Sequence, residues 1–198
     1  MFSTRRCAQE KCNQHAVTGS KFCFEHLEDP EEFLRETVAS LGDCDQLTNF
    51  KMCRGIFSDF RIPCKSITTS KFTETVFSNV IFDDTSIQLC FFDFCVFNNC
   101  SFDNVDIRYS VFAGSTFTDC NFTDSDTLHV NYNGSQLKSV NFQSCDLYYS
   151  SFISSIMRNV CFKDCNLKKV GYSNSDRRDV EFKYSNHEEA EFDKGDMP

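Results

Sequence analysis

The chain repeats itself every five residues, and that spacing constrains its fold more than any other feature. From Leu47 through Phe192, each fifth residue is large and apolar, with Thr127, Arg177 and His187 as the exceptions. Two residues ahead of each, every position from Ser70 to Ala190 holds Ser, Thr, Val, Cys or Ala. Neither regular element accommodates this. Five residues advance ~500° around a helix, so the large side chains would point in all directions. On a flat strand an odd step alternates faces. The pattern is satisfied if the chain turns a corner every five residues. The small and the large residue then both point inward from a short extended segment, and the other three positions face out or form the corner.

Grouping the large positions by twenty sorts them by chemistry. Phe82, Phe102, Phe122, Phe142, Phe162 and Phe182 form one column, and Ile87, Ile107, Thr127, Leu147, Leu167 and His187 form another. A third runs Phe72, Phe92, Phe112, Tyr132, Phe152, Tyr172 and Phe192, and a fourth Phe77, Phe97, Phe117, Leu137, Met157 and Arg177. Like stacks on like only if four five-residue sides make one turn. The scarcity of turn formers agrees, since 7 Gly and 3 Pro are too few for a chain of hairpins.

On these residues the chain resembles the pentapeptide-repeat proteins, whose motif is a small residue, Asp or Asn, Leu or Phe, then two variable positions. The resemblance spans Asp45 to about Lys194 and departs from the motif in its preference for Phe and its six Cys at small positions. It implies an all-β fold, a right-handed quadrilateral parallel β-helix. About six coils at a parallel strand spacing of ~4.8 Å predict a rod of roughly 30 Å. Cys90, Cys95, Cys100, Cys120, Cys145 and Cys165 are either a thiol ladder or small buried hydrophobes. Their interchange with Val and Ser favours the second.

An open β-helix needs caps. Residues 7–26 read Cys7-x4-Cys12-x10-Cys23-x2-His26, two pairs of soft ligands suited to tetrahedral zinc. This resembles short treble-clef-like zinc modules, and His15 is an alternative ligand. Three thiolates and an imidazole leave no open position, so a structural Zn2+ is expected. Asp29 as cap, Pro30 in the first turn and Gly42 as stop predict a short helix with Leu34, Val38 and Leu41 on one face. The predicted organisation is a small N-terminal zinc-binding module over 1–27, a short capping helix within 28–44, the β-helix over 45–194 and a tail over 195–198. At the far end Arg177 and His187 occupy core positions. Either the last coil loosens and they reach solvent, or that coil forms a homodimer contact, as the resemblance implies for some family members.

A net charge of −9 disfavours general nucleic-acid binding. No apolar run approaches the ~20 residues of a membrane span. The start, MFSTRRCAQEKC, lacks the apolar stretch of a secretory signal, so a cytoplasmic location is expected. Acids crowd the middle coils, among them Asp83, Asp84, Asp103, Asp106, Asp124 and Asp126. A second outward group, Arg108, Tyr109, His129, Tyr148, Tyr149, Lys168 and Lys169, has the composition of a protein-interaction surface. With no nucleophile–base pair, phosphate loop or open metal site, a non-enzymatic, rigid protein-interaction scaffold is expected, its protein partner unknown. The alternative is a DNA-mimic modulator of a type II topoisomerase, as the resemblance to gyrase-protecting members implies. The unbroken register leaves no room for the loops of their quinolone-resistance relatives.

Overall fold

A computed structural model describes residues 5–42 and 45–195, which leaves out the ends of the expected module, cap and tail at 1–4, 43–44 and 196–198. The repeat region is a parallel β-solenoid. One wall is a seven-stranded sheet running from Ile56–Arg61 through Val76–Ile81, Val96–Asn98, Thr116–Thr118, Gln136–Asn141 and Ile156–Cys161 to Asp176–Glu181. Its register pairs Phe57 with Phe77, Phe77 with Phe97, and so on to Met157 with Arg177, always twenty residues apart. The Ile87 wall keeps the same step, from Leu47↔Ile67 to Ile107↔Thr127. Four five-residue sides therefore close each coil. The seven levels exceed the six expected because the irregular Met52–Ile67 stretch also winds as a coil. There Gly55 takes a small position, and a Cβ on it would lie 2.0 Å from the Met52 sulfur.

The interior is a stack of rings. Phe82, Phe102 and Phe122 lie nearly parallel, with centroids 4.5 and 4.4 Å apart, while Phe97 meets Phe102 across the coil edge-on at 67°. Stacked contacts along each wall and T-shaped contacts between walls satisfy the ring quadrupoles in both directions. Two of the interior exceptions accompany the two interior tyrosines. Thr127 stands beside the buried Tyr132 hydroxyl in the same coil, though no hydrogen bond closes between them. Arg177 lies half-buried with its guanidinium 4.5 Å from the Phe192 ring centre and 5.8 Å from that of Tyr172. His187 begins a 3-10 turn, His187–Glu189, tilted against Phe182. Both side chains are half-buried, Arg177 against the Phe192 and Tyr172 rings and His187 against Phe182.

The small positions do more than save space. Ser115 donates its hydroxyl to the Phe92 carbonyl at 2.6 Å and accepts the Cys95 N–H at 2.9 Å. Cys120 and Cys145 donate in the same way to the Phe97 and Phe122 carbonyls, at 3.5 and 2.7 Å. The interior thiols are thus cross-coil donors as well as small hydrophobes. Burial pushes the Cys90 thiol up to about 11, and its neighbour Cys95 higher still.

Corners carry the main departure from the sequence reading. Instead of glycine, non-glycine residues take positive φ on nearly every side from Asn49 to Tyr184; Gly114 and Gly134 are the glycines in the series, and Cys64 is the one position that leaves it. Asn and Asp tolerate this left-handed region best among residues with a side chain. They fill most of the column Asn79, Asn99, Asp119, Ser139, Asn159 and Asp179.

The amino end closes the tube. Val17 is buried within the rod's core, and the Thr18 N–H reaches the Lys51 carbonyl at 3.0 Å. The helix spans Pro30–Gly42, with the Asp29 carboxylate accepting the Glu32 N–H at 2.8 Å. Leu34 and Val38 pack half-buried on the core, whereas the Leu41 side chain lies outside the described residues. Among the described residues no helix is long and apolar enough to cross a membrane.

Candidate functional site

Two constellations stand out. At the amino end a bridge between Arg6 and His15 and the bond from Cys7 N–H to the Gln14 carbonyl fold the first two cysteines into a tight loop, which Lys11 turns with φ of 63°. The 3-10 turn Phe24–His26 swings His26 back toward Cys23. The ligand atoms of Cys7, Cys12, Cys23 and His26 all lie within 4.8 Å of one another. Cys12 Sγ is 3.9 Å from Cys23 Sγ, and His26 Nδ1 is 3.6 Å from Cys7 Sγ and 3.2 Å from Cys23 Sγ. A tetrahedral zinc with bonds of ~2.3 Å to sulfur and ~2.05 Å to nitrogen sets those separations near ~3.8 and ~3.6 Å. The donor set fits the ion, and Nδ1 is the nitrogen His26 would use. His15, whose backbone pairs with Arg6, is not among the clustered groups. Burial opposes a charge on Cys7, but N–H groups of Cys23 and Gln9 together with His26 outweigh it and bring the thiol down to about 6. Burial and the neighbouring Cys7 and Cys12 push Cys23 up to about 11.

The second constellation is a corner column. Leu89, Tyr109, His129, Tyr149 and Lys169 sit one above another with φ between 51° and 63°. Tyr109 stacks on His129 with centroids 5.1 Å apart, and Tyr148 meets Tyr149 edge-on at 4.9 Å. Tyr109 is 59% exposed and Tyr149 50%. The flanking charges are occupied. Arg108 binds Asp106 at 2.6 Å and reaches toward Asp126 at 3.8 Å, Lys168 pairs with Glu189 and Lys169 with Glu191. The positive φ of these rings was not visible in the sequence. Between Leu89 and Lys169 this column alone lacks the Asn, Asp and Gly that would have announced it.

The acidic residues have structural partners. Asp83 Oδ1 accepts the Ser101 hydroxyl at 2.5 Å and the Asp103 N–H at 3.0 Å. Asp103 repeats the arrangement one coil up, with the Thr123 N–H and the Asn121 amide. Asp84 accepts the Asn104 amide at 2.7 Å, and Asp124 stands at an exposed corner. Burial, then Asp146 and Asp106, raise the Asp126 carboxyl above its usual range.

Comparison with known proteins agrees with this geometry. The profile described as Pentapeptide repeat region matches residues 115–192, and that of Pentapeptide repeats (8 copies) matches 90–124. Together they run without a gap over more than half of the chain. The chain belongs to the pentapeptide-repeat family. Similar solved structures include HetL, a pentapeptide repeat protein involved in heterocyst differentiation regulation from the cyanobacterium Nostoc sp. strain PCC 7120. It is 13% identical with a TM-score of 0.43, over 84% of this chain and 98% of HetL. Trypsin-treated QnrB1, a plasmid-mediated fluoroquinolone resistance protein, is 14% identical with a TM-score of 0.37, over 75% and 84% of the two chains. Rfr23 from the cyanobacterium Cyanothece 51142 is 8% identical with a TM-score of 0.33, over 81% and 97%. Nothing of those proteins' roles passes to this chain. Among curated proteins, none matches it.

Proposed function

We propose that this pentapeptide-repeat protein is a non-enzymatic scaffold that presents the corner column of Tyr109, His129 and Tyr149, with Tyr148 packed beside it, to a protein partner. One observation carries the reading. Exposed rings occupy corners whose left-handed backbone costs a bulky residue about 1–2 kcal/mol relative to a relaxed conformation. Other columns fill the same corner largely with Asn, Asp, Ser and Gly. Strain held at exposed aromatic positions is expected where a surface is kept for binding. Arg108, Lys168 and Lys169, each already paired, form the polar rim, and the thiolate–imidazole cluster would hold a structural zinc that fixes the cap. Among the described residues the half-buried outward thiols of Cys53 and Cys161 offer catalysis little, since burial pushes both up.

The DNA-mimic alternative has less support, because most of its candidate carboxylates accept cross-coil hydrogen bonds or pair with arginine. Affinity capture with the folded protein tests the proposal. A partner retained by the native chain and lost by the triple variant Tyr109→Asn, His129→Asn, Tyr149→Asn supports it. Equal capture by both chains refutes it.

A further inference from the structure

The first coil leaves one of its edges open. In every higher coil the N–H at the first position of the Phe97 wall reaches a carbonyl of the coil beneath: Val76 to Gly55, Val96 to Thr75, Thr116 to Cys95, Gln136 to Ser115, Ile156 to Ser135 and Asp176 to Ser155. Ile56 is the first member of this series, and among the described residues no coil lies beneath it. Among the described residues the strand Ile56–Arg61 ends its sheet and pairs only on its upper side, with Val76–Ile81. By that register the alternate residues Ile56 and Ser58 turn their backbone groups away from the second coil. The neighbouring wall is closed differently, since Lys51 exchanges bonds with the Thr18 N–H and hydroxyl at 3.0 and 2.8 Å.

Beneath the open edge lies a groove of about 520 Å3. Leu34, Val38 and Ala39 of the capping helix form one side, and Ile56, Phe57 and Phe60 the other. Ile56 is 57% exposed for so large an apolar side chain. The charge at the rim is negative: Glu31 lines the groove, and the one cation lining it among the described residues, Arg35, is neutralised by Glu32 at 2.6 Å.

We infer that this groove, distinct from the corner column, is a strand-addition site for an extended peptide carrying alternate apolar and basic side chains. An unpaired strand edge specifies extended backbone. The apolar walls specify every second side chain, because successive residues of a strand point to opposite faces. Glu31 specifies a basic residue.

The test uses the full chain and a labelled, acetylated peptide alternating Val with Lys, followed by fluorescence anisotropy. Saturable binding is expected at micromolar concentration, weakened at least ~10-fold when the edge-facing amides of the peptide are N-methylated. Methylation of the opposite amides should leave binding intact. Val38→Arg, placed in the groove with unchanged circular dichroism, should abolish it. No binding at about 1 mM peptide overturns the inference. So does binding indifferent to methylation, or a concentration-dependent dimer that Val38→Arg removes, which would place a second copy in the groove.

Discussion

The imidazole of His129 lies face to face with the ring of Tyr149, centroids 5.1 Å apart and planes 9° from parallel, and both residues leave corners of positive φ. The stack returns part of the backbone strain, at about 0.5–1.5 kcal/mol per pair. Two effects of similar size therefore oppose each other at this surface.

Zinc at the amino end is directly countable. Protein purified without added metal should carry one zinc per chain, read by elemental analysis, and a chelator should open the module. Cys7, with its thiol near 6, is already a thiolate at neutral pH, whereas Cys23, near 11, must lose its proton to bind. Zinc addition at pH 7 should release protons into weak buffer, and affinity should fall by roughly a further factor of ten per pH unit below pH 6 as Cys7 is protonated. The linkage sign agrees: a folded value below the unfolded one favours the fold above the unfolded value, and that stability fades as pH falls through 6. A folded, metal-free protein would contradict the site.

Interior thiols should be silent. In the folded protein at pH 8 a thiol reagent should spare Cys90, Cys95, Cys120 and Cys145, which are buried. Cys120→Ser should change stability by no more than about 1 kcal/mol, since serine already makes the same cross-coil bond at Ser115. Rapid labelling of the native rod would contradict this packing.

Asp103→Ala removes the acceptor of the Thr123 N–H. A loss of about 1–3 kcal/mol in chemical denaturation is expected. No change in stability, together with an effect of the native protein on gyrase supercoiling that the variant lacks, would favour the DNA-mimic reading.

Phe122→Ala removes a ring stacked on Phe102 and Phe142 and should cost about 3–5 kcal/mol, seen as a cooperative loss of β signal at lower temperature. Near-native melting would contradict the ring stack.

The tube was legible because burial acts on every fifth residue, and identical chemistry at steps of twenty left one way to stack Phe82, Phe102 and Phe122. The helix was legible from Asp29, Pro30 and Gly42, each of which answers to local backbone chemistry. Two things were hidden. Small residues announce limited space but not direction, so the hydroxyl of Ser115 bridging two coils had no signature. Positive φ at corners leaves a trace only where Asn, Asp or Gly accept it, and Tyr109 and Tyr149 carry no such trace. The cluster of Cys7, Cys12, Cys23 and His26 was legible by spacing, but that His15 stands outside it was not.

The equilibrium unfolding free energy of the Tyr109→Asn, His129→Asn, Tyr149→Asn variant tests the binding role of the corner column most directly. Asparagine relieves the left-handed strain while the stacks are lost, so stability within about 1 kcal/mol of the native chain, or above it, is expected. A loss of more than about 2 kcal/mol would mean that the rings are there to hold the rod together, and would contradict a surface kept for a partner.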